Sequence, residues 1–95
     1  MIGKYVIART YSAGVFAGIL QARDGKEGEL SDARRIWYWE GAATLSQLAM
    51  EGTKNPEKCK FPQPVLRVLL TEIIEILECT PAAEASIRGV PEWKK

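Results

Sequence analysis

Val65-Leu66-Arg67-Val68-Leu69-Leu70-Thr71-Glu72-Ile73-Ile74-Glu75-Ile76-Leu77-Glu78-Cys79 is the stretch on which the fold turns. At helical spacing, Leu66, Leu69, Leu70, Ile73 and Leu77 form one apolar stripe, with Arg67, Thr71, Glu75 and Glu78 on the outer face. Against a helix stand the β-branched run Ile73, Ile74, Ile76 and the proline-rich loop before it, and a small sheet also needs one more strand to cover its core. Periodicity alone favours the helix, which stays open as the alternative. The expectation is a strand over Leu69–Cys79, with room for a bulge.

The chain before it reads as an antiparallel meander. Lys4–Thr10 is rich in β-branched and aromatic residues and alternates Val6, Ala8, Thr10 against Tyr5, Ile7, Arg9. After the short connection Tyr11–Gly14, Val15–Arg23 alternates again, and Gly18 marks a bulge or a close approach by another backbone. Asp24-Gly25 suits a type I′ hairpin turn. A third strand over Lys26–Ser31, weakened by Gly28, and a second turn at Ser31-Asp32 lead into a fourth strand at Arg34–Glu40.

Helix signals are local. Thr44 and Gln47 have capping-box spacing ahead of Leu45, Leu48 and Ala49, and Gly52 suits the C′ position, which predicts a helix over Leu45–Glu51. Thr80 as N-cap, Pro81 at N1 and Gly89 at C′ predict a second helix ending at Arg88. Pro56, Pro62 and Pro64, interleaved with Lys54, Lys58 and Lys60, make 53–64 a surface loop. The tail Val90–Lys95 holds a tryptophan that must pack somewhere. The fold class expected is therefore α+β in a single domain, 1–95: an antiparallel sheet of about five strands with two short helices.

Composition narrows the function. A chain of 95 residues, 46% hydrophobic and 26% charged, matches a globular domain with a modest core, for which oligomerisation is a natural supplement. Net charge is +1, so no global field attracts nucleic acid, and a nucleic-acid partner is not expected. No apolar run approaches the roughly 20 residues of a membrane helix, and the first ten residues lack a signal-peptide pattern; the expected location is the cytoplasm. Histidine is absent, which removes the commonest general base and transition-metal ligand. Cys59 and Cys79 stand 20 positions apart without a CxxC pattern and are expected as free, buried thiols. No phosphate-binding glycine loop or metal spacing occurs, and paired-carboxylate chemistry by Glu72, Glu75 and Glu78 has nothing beside it in support. The expectation is a protein that is not an enzyme, with no cofactor and no metal.

The densest chemistry lies in Ala33-Arg34-Arg35-Ile36-Trp37-Tyr38-Trp39-Glu40, with two of the three tryptophans and the only paired arginines. As a strand it sets Arg35, Trp37 and Trp39 on one face and Arg34, Ile36, Tyr38 and Glu40 on the other. One outcome is that the aromatics fill the core and the arginines pair with acidic neighbours such as Glu40 or Glu29. The other is an exposed aromatic beside a guanidinium, which stacks on a base and holds a phosphate. The ligand-binding candidates are Arg9, Arg35, Trp37 and Trp39, with Arg34 and Tyr38 as the opposite-face alternative.

Arg9–Gly18, Ala33–Trp39 and Gly41–Ala49 together resemble a family of small proteins that occurs mainly in bacteriophages and prophages. The resemblance implies a setting, the host cytoplasm, rather than catalytic residues. Small phage proteins act stoichiometrically, on a host protein, in the virion, or by sequestering a nucleotide signal of antiviral defence. The leading expectation is a homo-oligomeric binder of an anionic small molecule such as a cyclic nucleotide, its sites at junctions of identical subunits. The rival is a protein-interaction module that inhibits a host protein or serves as a virion accessory, using the proline and lysine loop and the Trp93 tail.

Overall fold

The computed structural model describes residues 1–95 as five strands and two α-helices. β1 is Tyr5–Thr10, β2 Val15–Asp24 and β3 Glu27–Arg35; α1 is Leu45–Glu51; β4 is Val65–Leu70, β5 Ile73–Glu78 and α2 Pro81–Arg88. All strand pairs are antiparallel in the order β4-β3-β2-β1-β5. The α+β class, the five strands and the two helices are as expected from the sequence.

Four assignments differ. Ser31-Asp32 is not a turn: Glu27 to Arg35 is one strand, and the chain leaves the sheet at Arg35, so no strand spans Arg34–Glu40. Ala17 pairs with Arg34 and Ile19 with Ser31, so β3 spends one residue more than β2 there. That is a bulge around Asp32, whose φ is 49°. Gly18 lies opposite it, where a Cβ would come within 2.9 Å of the Ser31 carbonyl oxygen and 3.1 Å of Ala33 Cα. The sequence signal at Gly18 thus marks both a bulge and a close approach.

Secondly, 65–79 is extended, but as two strands that break at Thr71-Glu72. The anticipated bulge is at Ile74, since Arg9 pairs with Glu75 and Thr10 with Ile73. Thirdly, the β2–β3 turn has Gly25 and Lys26 at its centre and only Gly25 at positive φ, 60°, which fits type II′ rather than type I′. Gly89 also departs from its expected role, sitting at φ −81°.

The β4–β5 break decides the shape. The edges of a flat five-stranded sheet lie about 19 Å apart at ordinary strand spacing. From Leu70 to Ile73 the chain spans at most about 11 Å. The two residues between β4 and β5 nevertheless join opposite edges, so the sheet is curled towards a small barrel. The Asp32 bulge and a second one at Gln21, where Leu20 pairs with Leu30 and Ala22 with Glu29, supply the bending.

Curling gives the sheet two buried faces. Val6, Ala8, Phe16, Leu20, Leu30, Ala33, Leu70 and Ile73 fill the concave side. Tyr5, Ile7, Ala17 and Ile36 form the convex side with Leu48 and Ala49 of α1, Ala83 and Ile87 of α2, and Phe61. β1 contributes to both and is buried at five of its six positions, so its first four residues, Tyr5 to Ala8, are apolar on both faces. Both thiols are free and buried, as expected.

The helix ends follow their sequence signals. Thr44 Oγ1 accepts from Gln47 N at 3.1 Å, and Gln47 Oε1 accepts from Ala43 N at 2.8 Å. Thr80 Oγ1 accepts from Ala83 N at 3.0 Å and donates to the Met50 carbonyl at 2.8 Å, which ties α2 to the end of α1. The loop 53–64 is less superficial than its composition suggests. It contains a 3₁₀ turn at Pro56–Lys58, and Phe61 is fully buried. No helix is long and apolar enough to cross a membrane.

Candidate functional site

Because β3 ends at Arg35, the strict alternation expected for Arg34–Glu40 fails beyond Ile36. Arg34 and Ile36 point into the convex core, while Arg35, directly opposite Phe16, sits at the open end of the concave side. Past the strand, Trp37 is 63% exposed, Tyr38 is half-exposed, and Trp39 turns back to pack on the convex core. The two candidate faces are therefore rearranged rather than one being chosen.

Arg35, Trp37 and Trp39 do come together. With Ile36 and the Ser12–Val15 turn they line an open cleft of about 400 Å³. Small-molecule sites have roughly 300–1,000 Å³. Arg35 lies over the Phe16 ring, 4.4 Å from its centroid, and donates Nη1 to the Ala13 carbonyl at 2.6 Å. It has no carboxylate partner, and its Nε and Nη2 donate to nothing in the chain. Trp39 is anchored by Nε1 donating to the Ala42 carbonyl at 3.1 Å.

Trp37 closes the cleft on one side and stacks on Trp93 on the other, with ring centroids 6.4 Å apart and planes inclined by 14°. The tail is held there by Trp93 N, which donates to the Phe61 carbonyl at 2.9 Å. One residue before Phe61, Lys60 pairs its backbone with Tyr38 and sets its ammonium 5.5 Å from the Trp93 ring and 5.8 Å from the Tyr38 ring. Lys60 forms no ion pair. Tyr38 OH donates to Glu40 Oε2 at 2.6 Å, and that bond holds the phenol above its ordinary pKa. The result is a surface of three exposed aromatic rings with one ammonium over two of them, continuous with the Arg35 cleft.

The remaining candidates lie elsewhere. Arg9 is paired with Glu75, Nε to Oε1 at 2.8 Å, and does not line the cleft. Arg34 is 2% exposed and donates to the carbonyls of Ile87 at 2.9 Å, Pro62 at 3.0 Å and Phe61 at 3.1 Å. Burial draws its guanidinium below the usual value. It is a core residue, and it shares no face with the exposed Tyr38. Neither Arg34 nor Arg35 pairs with Glu40 or Glu29; Glu29 holds Arg67 instead.

What the sequence does not show is that Lys60 and Trp93, which do not line the cleft, meet Trp37 and Tyr38 on the surface beside it. The signal was that Trp93 fitted no strand or helix and still had to pack. No curated protein matches the chain, and no solved structure does. The family described as a domain of unknown function, DUF6948, matches residues 3–87, and the chain belongs to it.

Proposed function

We propose that this is a non-catalytic binding protein that takes a planar, anionic ligand of nucleotide type in the Arg35–Trp37 cleft. The supporting observation is that Trp37, a large exposed indole locked by Trp93, lines the same cleft as an exposed guanidinium without a carboxylate partner. An indole face takes a base, and the two open guanidinium nitrogens suit phosphate oxygens. Lys60 adds positive charge outside the cleft, over the Trp93 and Tyr38 rings. In the setting that the resemblance to small phage proteins implies, the role is sequestration of a nucleotide messenger of host defence.

Calorimetry with a panel of linear and cyclic nucleotides tests this. The expected result is one-site binding that Trp37→Ala and Arg35→Ala each weaken at least tenfold while the fold stays intact by circular dichroism, and that Arg9→Ala leaves unchanged. No binding of any nucleotide at high micromolar concentration overturns the reading. A specific observation favours a second one: the proline and lysine loop and the Trp93 tail meet on this surface through Lys60, Phe61 and Trp93. A host protein captured through Trp37, Lys60 and Trp93 and indifferent to Arg35→Ala identifies an interaction module.

A further inference from the structure

A sheet that is curled but not hydrogen-bonded shut keeps two edges, and here the two are built differently. β5 carries Glu75 and Glu78 and is bulged at Ile74, devices by which edges avoid pairing. β4 has neither. Its pairing with β3 runs without a register shift, proline stops at Pro64 just before it, and its single charge, Arg67, is neutralised by Glu29 on β3. Leu66 is 91% exposed and Leu69 is 62% exposed. The main-chain groups of Val65–Leu70 bond only to β3, so the outward row of N–H and C=O groups is open.

We infer that β4 is the pairing edge for a second copy of this chain, joined antiparallel about a two-fold axis at Val68. Directly opposed residues of an antiparallel pair share a face, so an axis between identical strands must pass through a residue and not between two. Two central positions are available. An axis at Arg67 sets two guanidinium groups in direct opposition, which is destabilising. An axis at Val68 sets Val68 against its own copy and the exposed Leu66 against Leu70 of the second copy. On the other face, each Arg67 lays its aliphatic stem against the Leu69 that now opposes it, its charge still held by Glu29. The pairing is isologous and closed. β5 is the poorer partner for a copy of itself because it is bulged at Ile74 and its Glu78 has no cationic partner, although Glu75 is held by Arg9.

The inference is independent of the ligand reading, and its test uses the intact chain without ligand. Light scattering is expected to give twice the 10.6 kDa chain mass. Leu66→Lys with Leu69→Lys, both at exposed positions, is expected to give the monomer mass with an unchanged circular dichroism spectrum. Val68→Cys is expected to form a disulfide-linked dimer on mild oxidation, because facing Cα atoms about 4.5–5.5 Å apart lie within disulfide reach. The native Cys59 and Cys79 are buried, so the wild type is expected to form none. A wild-type monomer at high micromolar concentration overturns the inference, as does a dimer or larger ring that survives the lysines. A dimer dissolved by the lysines but not cross-linked through Val68→Cys overturns the two-fold register.

Discussion

Arg34 carries a positive charge into the core without an ion pair to any carboxylate. Carbonyl oxygens take the carboxylate's place, from Phe61 and Pro62 on the loop and from Ile87 and Arg88 at the C-terminal end of α2, where the helix dipole is negative. The guanidinium therefore pins β3, the loop and α2 at one point. Arg34→Met keeps the apolar bulk but leaves these carbonyls unpaired, and should cost about 3 kcal/mol of unfolding free energy in urea. Arg35→Met, at the exposed cleft, should stay within about 1 kcal/mol. Equal losses would mean that Arg34 is not the pin. The two arginines are indistinguishable as neighbours in the sequence: what separates them is supplied from 27 and 53 positions further along the chain. A sequence pattern read over eight residues cannot contain that.

At the scale of elements, β3 is the strand that sets the others, because its bulge at Asp32 bends the sheet and, by one extra residue, decides that Arg34 and not Arg35 faces the helices. The bulge needs the space that Gly18 leaves. Gly18→Ala puts a methyl against the Ser31 carbonyl and Ala33 Cα, both backbone, so relief requires moving a strand. A loss of about 2 kcal/mol in the urea transition is expected, and an unchanged midpoint would show that the bulge tolerates the methyl. Elements whose signals are local were legible: both helices, from Thr44 with Gln47 and from Thr80 with Pro81, and β1 and β2 from their alternation. Ser31-Asp32 reads as a turn in the sequence and is a bulge in the sheet, since a bulge and a turn demand the same local chemistry. The split of 65–79 at Thr71-Glu72 was not legible either. Nothing local to an apolar run shows that its two halves belong to opposite edges of a curled sheet.

The whole molecule has two buried layers on the two faces of one sheet, and the convex layer makes its stability depend on alkaline pH. Tyr5 and Cys79 both lie in that layer. Burial is the main force that pushes the Tyr5 phenol from 10.0 up to about 12, opposed by the Arg88 guanidinium over its ring. Burial, aided by the carboxylates of Glu84 and Glu78, pushes the Cys79 thiol from 9.0 up to about 12. In the unfolded chain both groups ionise near their ordinary values. Between roughly pH 9 and pH 12 the folded state therefore holds protons that the unfolded state has released, and stability falls as pH rises. Below pH 9 the contribution is complete, because both states are protonated. Urea midpoints measured from about pH 7 to about pH 11 should be flat to near pH 9 and then decline. Tyr5→Phe with Cys79→Ala should flatten the decline, since the variant has neither group to ionise. A decline of the same slope in the double variant would assign the alkaline loss to groups outside the layer between sheet and helices.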